Sequence, residues 1–139
     1  MTAADEALDI DKLTRLVGVP YLEGGRSAQG ADCWGIVLLG AHHLFGLELP
    51  EYFYTRDQLL DQAGDLIARE TTGPRWDAVD APFPGGAVHI FLIRGAATHC
   101  GLHLRDSLFL HSLPGRNSCI ESLDDMNWRQ RRTGSYVLR

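Results

Sequence analysis

The 139-residue chain changes its hydrophobic period once, and that change restricts the folds open to it. Through about residue 69, apolar residues recur every three to four positions, as on one face of a helix. From Ala87 onward they come in short runs of strand length, beginning with Ala87-Val88-His89-Ile90-Phe91-Leu92-Ile93. Helices first and strands after is the order of an α+β domain with an antiparallel sheet. The length fills one domain, residues 1–139, with no internal repeat or interdomain linker.

The periodicity predicts a helix over 6–17, stopped by Gly18 and Pro20. A Gly-rich loop over 18–31 must bend tightly or approach something closely. A second helix is expected over 33–45, with Trp34, Val37, Leu38, Ala41 and Phe45 as its apolar stripe. Asp32 can cap it, and Gly46 can end it. Gly35 and Gly40 inside that helix cost about 1 kcal/mol each against Ala, which is worthwhile where another backbone packs close. A third, exposed helix is predicted over 56–69 and a loop over 71–86. Strands are then predicted at 87–93, 98–104, 108–112, 118–122 and 135–138, separated by turn residues such as Arg105-Asp106-Ser107.

The net charge of −5 argues against a duplex DNA binder. The basic run Arg129-Gln130-Arg131-Arg132 reads as solvated surface. No stretch approaches the ~20 apolar residues of a membrane span. The acidic N-terminus lacks the basic-then-apolar order of a signal peptide. The three cysteines, Cys33, Cys100 and Cys119, match no zinc-finger spacing, and no disulfide framework, metal or cofactor is expected. Cys100 and Cys119 read as buried, inert thiols. His89 reads as a hydrogen-bonded interior residue, and His42 and His43 as surface residues.

Cys33 differs from the other thiols. It stands in Gly30-Ala31-Asp32-Cys33-Trp34-Gly35, where the Gly-rich loop gives way to a helix. A helix N-terminus carries partial positive charge and unpaired N–H groups, which favour thiolate over thiol. His99 and His111 lie in two successive strand runs. A three-residue loop at 105–107 pairs Gly101 with His111 and puts both imidazoles on one side; a two-residue loop puts them on opposite sides. Gly101 leaves room between two imidazoles in the first case. The chemistry expected is that of a cysteine hydrolase. Cys33 is the nucleophile, His99 the base and His111 the group that orients it. The Cys33 N–H and the Tyr21 hydroxyl are the expected oxyanion donors, with Asp32 in support.

Together, Pro20-Tyr21, Gly24-Gly25 and Gly30-Ala31-Asp32-Cys33-Trp34-Gly35 resemble the nucleophile segment of the NlpC-type cell-wall peptidases. Thr98-His99-Cys100-Gly101-Leu102 is similar to the family's second motif and Leu110-His111-Ser112 to its third. Pro84-Gly85-Gly86-Ala87-Val88 is similar to the turn before its first core strand. The resemblance spans about residues 18–112. It implies a papain-like fold, with N-terminal helices packed on a C-terminal antiparallel sheet. It also implies catalytic Cys33, His99 and His111, no cofactor, and hydrolysis of amide bonds in peptidoglycan stem peptides, commonly of the D-γ-glutamyl-diaminopimelate type.

Trp34 replaces the family's commoner Ser. With Gly46-Leu47-Glu48-Leu49-Pro50 after the helix, it looks more like the versions in phage and prophage tail tips. That likeness implies an enzyme made in the bacterial cytoplasm and carried by the particle. Its partners would be peptidoglycan and other tail proteins, with no nucleic acid and no membrane. Two alternatives use the same scaffold: an acyltransferase or thioesterase at the same Cys–His site, and an assembly-only tail subunit. Arg26, Arg94, Arg105 and Arg116 are candidates to bind stem-peptide carboxylates.

Overall fold

The computed structural model describes residues 8–51, 75–93 and 95–139, with backbone alone at 96–98. The helix predicted over 56–69 lies outside the described residues. Helix α1 (Ile10–Leu16) starts later than its apolar pattern predicts, since Leu8 and Asp9 precede it. Asp9 is the reason: its carboxylate accepts the Lys12 N–H at 3.1 Å and caps the first turn.

Helix α2 (Cys33–Phe45) has the predicted bounds. Asp32 caps it by accepting the Gly35 N–H at 2.7 Å. At its far end Gly46, at φ +65°, takes the left-handed conformation that only Gly adopts freely. The loop before α2 folds back as a small antiparallel ribbon of β1 (Arg26–Ser27) and β2 (Gly30–Ala31).

The remaining strands are β3 (Trp76–Ala78), β4 (Val88–Ile93), β5 (Ala96–His103), β6 (Leu108–His111), β7 (Cys119–Ser122) and β8 (Arg132–Leu138). They form one antiparallel sheet in the order β3-β8-β4-β5-β6-β7. Three features depart from the sequence reading. Strand β3 lies inside the stretch read as a loop. Strand β8 begins at Arg132 instead of Ser135, and a short helix α3 (Met126–Arg131), capped by Asp125, precedes it. The basic run is therefore not simply solvated: Arg131 lies over the Trp128 ring, and Arg132 covers Phe83 and donates to Ser135 Oγ.

The sheet has two different faces. Val88, Ile90, Cys100, Leu102, Leu104 and Leu110 pack against Trp34, Ile36, Val37 and Ala41 of α2 and against Leu13 and Leu16 of α1. Each such buried side chain contributes roughly 1.5–3 kcal/mol. The opposite face carries Phe91, Phe109 and Trp128, with buried His89, His99, His103 and His111 among them.

Both helix glycines mark close approach. A Cβ on Gly35 would lie 2.1 Å from the Gly25 carbonyl oxygen, and one on Gly40 would lie 2.6 Å from a Leu102 methyl. Among the described residues no helix is long and apolar enough to cross a membrane.

Candidate active site

Strand register decides where the histidines point. Leu102 pairs with Leu110 and His103 with Phe109, across a turn at 105–107. This is the three-residue alternative, so His99 and His111 share a face. The His99 Nε2 to His111 Nδ1 distance is 2.8 Å. Gly101 does not leave a gap between the imidazoles, as the sequence reading had it. Its missing side chain makes room for the rings of Phe109 and Phe91, 2.8 and 3.3 Å from where a Cβ would be.

A third member completes the chain of hydrogen bonds. His111 Nε2 lies 2.5 Å from Glu121 Oε2, on β7. Trp128 also donates a side-chain hydrogen bond to Glu121. Burial alone would push the Glu121 carboxyl up. The bonds from Trp128 and His111, with the charges of His111 and Arg116, outweigh it and hold Glu121 below the ordinary glutamate value. Burial, joined by His99, pulls His111 down to about 4, against the opposing pull of Glu121.

His111 is therefore neutral near pH 7 and has one N–H to place. A carboxylate at Nε2 takes it, which leaves Nδ1 as an acceptor. His99 then donates from Nε2, and its Nδ1 keeps a lone pair that can take a proton from a nucleophile. The tautomers needed for a general base follow from this hydrogen-bond network.

Cys33 opens α2 and is 4% exposed. Its side chain hydrogen-bonds with Cys100, the residue next to His99. Burial, then this bond and the charge of Cys33, push the Cys100 thiol well up. Cys100 is thus the partner that stays protonated and can donate to the Cys33 sulfur. A second tie joins the same regions: Ser112, next to His111, donates from Oγ to the Ala31 carbonyl at 3.3 Å.

The loop before Cys33 is held from within. Asp32 accepts from Gly24 N–H at 2.9 Å and from Arg26 at 2.7 Å, in addition to its capping bond. Burial and the neighbouring Cys33 push its carboxyl up, while these donors pull it back. Asp32, 1% exposed, thus fixes the turn that aims Cys33. Tyr21 forms a parallel bridge with Ala31, which sets it beside the same turn.

Of the arginines considered for substrate binding, Arg26 is engaged with both Asp32 and Glu51 at 2.7 Å, and Arg105 with Asp106 at 3.4 Å. Arg94 lies outside the described residues. Arg116 acts on the charges of His111, Cys119 and Glu121.

His89 has the interior, hydrogen-bonded place expected of it. Its Nδ1 lies 2.6 Å from Ser135 Oγ, and its Nε2 lies 2.9 Å from His103 Nδ1. His103 therefore pairs with His89 and not with His99. Cys119 is half-buried instead of buried.

Sequence reasoning missed Glu121. Its signal was the alternation in Cys119-Ile120-Glu121, which puts Cys119 and Glu121 on one face once Cys119 pairs with His111.

Similarity to known proteins agrees with this geometry. The chain is 25% identical over 122 residues to the murein DD-endopeptidase MepS/murein LD-carboxypeptidase of Escherichia coli K12, across 88% of this chain and 57% of that protein. It thus spans just over half of that relative's length. It is 27% identical over 121 residues to the probable endopeptidase NlpC of the same organism, across 86% of this chain and 70% of the relative. Among solved structures, the NlpC/p60 domain of the peptidoglycan hydrolase SagA aligns with TM-score 0.61 at 16% identity, covering 96% of this chain and 98% of that one. An NlpC/P60 family protein from Bacillus cereus aligns with TM-score 0.63 at 22% identity, covering 96% and 39%. These structural likenesses show the papain-like α+β fold. The NlpC/P60 family model matches residues 18–137, from the loop before the cysteine through nearly all of the last strand, and the chain belongs to that family.

Proposed function

We propose that the protein is a cysteine hydrolase that cleaves amide bonds in peptidoglycan stem peptides, with Cys33 as nucleophile, His99 as base and His111 as its orienting partner. One observation carries this reading: the His99–His111–Glu121 hydrogen-bond chain, which leaves His99 Nδ1 as the acceptor. The two ties of the Cys33 segment to residues beside His99 and His111 support it, as do the murein hydrolases among its relatives.

In the proposed cycle, His99 Nδ1 takes the Cys33 proton, and the thiolate attacks the scissile carbonyl carbon. The Cys33 N–H and the Tyr21 hydroxyl receive the oxyanion. The His99 imidazolium then protonates the departing amine and leaves a thioester. Water, deprotonated by His99, hydrolyses the thioester and restores the thiol. Throughout, His111 accepts from His99 Nε2–H, and Glu121 holds His111 in the tautomer that can do so.

The bond we propose is the one between D-γ-glutamate and diaminopimelate. Two synthetic substrates test it: a tripeptide with that linkage, and a cross-linked dimer with a D-alanyl linkage. Cleavage of the tripeptide is the expected result; release from the dimer alone would replace the assignment. Cys33→Ala is expected to abolish fragment release from purified walls with the circular dichroism spectrum unchanged. Undiminished release would remove Cys33 from the mechanism.

Delivery in a phage or prophage tail is the setting we propose. It is supported by Trp34 and the 46–50 segment. The Trp34 indole N–H donates to the Pro50 carbonyl at 3.0 Å, so these two features form one local structure. Mass spectrometry of purified particles checks this, and absence of the chain from them would refute it.

A further inference from the structure

Beside the hydrogen-bond chain lies a group of ligand atoms that the hydrolytic cycle does not use. Cys119 Sγ is 3.6 Å from His111 Nε2 and 3.8 Å from Glu121 Oε2. With the 2.5 Å His111–Glu121 contact, the three atoms form a compact triangle. Tetrahedral zinc with its usual bond lengths sets S···N and S···O separations of about 3.6 Å, and N···O of about 3.3 Å. Two edges already have those lengths. The third opens by less than 1 Å, and Glu121, whose side chain is 27% exposed, stands on the solvent side of the group. Water can fill the fourth position, since Cys119 and Glu121 are both half-buried.

We propose that His111, Cys119 and Glu121 form an inhibitory site for a thiophilic divalent cation, with Zn²⁺ as the fitting ion. Soft thiolate, imidazole and carboxylate together favour zinc over magnesium or calcium, which take oxygen ligands. Arg116 and Trp128 also face Glu121; the guanidinium opposes the cation, and the indole hydrogen bond orients the carboxylate.

The inhibitory effect, which rests on the hydrolase reading, follows from proton bookkeeping. Without metal, His111 Nε2–H points at Glu121 and Nδ1 accepts from His99. A cation on Nε2 displaces that proton to solvent, and Cys119 releases its own. His111 must then carry its proton on Nδ1, received from His99 Nε2 across the 2.8 Å bond. His99 takes a proton from solvent at Nδ1, so the pair keeps two protons in all. The His99 Nδ1 lone pair is gone, and Cys33 has no base. An imidazolium at His99 would also set one N–H against another.

Cobalt(II) serves as the spectroscopic substitute for zinc and needs no substrate. In Cys33→Ala protein, one equivalent of Co²⁺ should give a thiolate-to-cobalt charge-transfer band. The band should vanish in Cys33→Ala/Cys119→Ser and weaken in Cys33→Ala/Glu121→Gln. No band in the first protein, or an unchanged band in the double variant lacking Cys119, overturns the site. This arm stands apart from hydrolysis.

The second arm measures wall hydrolysis with added Zn²⁺. Losing an outer-shell partner alone costs a metal site about 10–100-fold in affinity, so losing a ligand costs at least that. Cys119→Ser should raise the half-inhibiting Zn²⁺ concentration accordingly, leave the metal-free rate unchanged, and keep the reversal of inhibition by chelator. Equal inhibition of Cys119→Ser and wild type would place the inhibitory ion elsewhere and overturn the proposal.

Discussion

Glu121 determines what the two site histidines can do. Neutral His111 offers one N–H, and the carboxylate at Nε2 decides where it goes. Glu121→Gln keeps the shape and removes the charge. A hydrogen bond to a charged group is worth about 1.5–3 kcal/mol, which is roughly a 10- to 150-fold change in rate. The expected result is a loss of that order in kcat on wall substrate, with KM little changed. The alkaline limb of the pH–rate profile should also move to lower pH, because the imidazolium formed in the cycle has lost its carboxylate. A role limited to packing would lower the rate without moving that limb. Glu121 could not be assigned from the sequence because a charged residue in a half-exposed strand is usually solvent-facing. Only the β6–β7 register turns it inward, and sequence does not fix register.

Helix α2 shows the opposite case, where local signals and tertiary structure agree. An Asp cap, an apolar stripe and a terminal Gly all point to 33–45, and the helix has those bounds. The two glycines inside it, alike on a propensity scale, separate in the structure. At Gly35 the atom in the way is a backbone carbonyl oxygen, which cannot yield. At Gly40 it is the end of a Leu side chain, which can rotate. Gly35→Ala should therefore cost about 1–3 kcal/mol through overpacking, and should also displace the turn that presents Cys33. Gly40→Ala should be near neutral, since about 1 kcal/mol of gained helix propensity offsets the crowding. Urea midpoints for the two variants check this, and equal losses would contradict it. Strand β3 and helix α3 were not legible because they are three and six residues long. Elements that short show less than two full turns of any period. They form because Trp76 and Trp128 are buried there by partners distant in sequence.

For the molecule as a whole, the sheet divides its labour between faces. The face toward α1 and α2 is hydrocarbon, while the other mixes aromatic rings with four buried imidazoles. That second face makes stability depend on pH. Burial, with His103 and Arg132, brings His89 down to about 3 from the ordinary 6.5. The unfolded chain therefore binds a proton at His89 that the folded protein does not, between about pH 6.5 and 3. Stability at this group is fully present above pH 6.5 and falls as the solution is acidified through that window. Integrated over the window, the loss is on the order of 5 kcal/mol. His89→Gln should flatten the fall in Tm between pH 6.5 and 4; an unchanged slope would assign it to other groups. Sequence placed His89 in the interior correctly, because an imidazole inside an apolar strand must find a partner. Which partner it finds depends on β8, whose start was misjudged.

Ser118 ties the beginning of the chain to its end. Its hydroxyl donates to the Leu16 carbonyl at 2.6 Å and accepts the Val19 N–H at 2.9 Å, while its backbone bonds Gly18 and Val19. A recombinant fragment trimmed to residue 18, where the family match opens, would lose the entire first helix and one end of this clasp. The hairpin bearing Cys119 and Glu121 would lose its anchor with it, so workable truncations must keep Asp9 and everything after it.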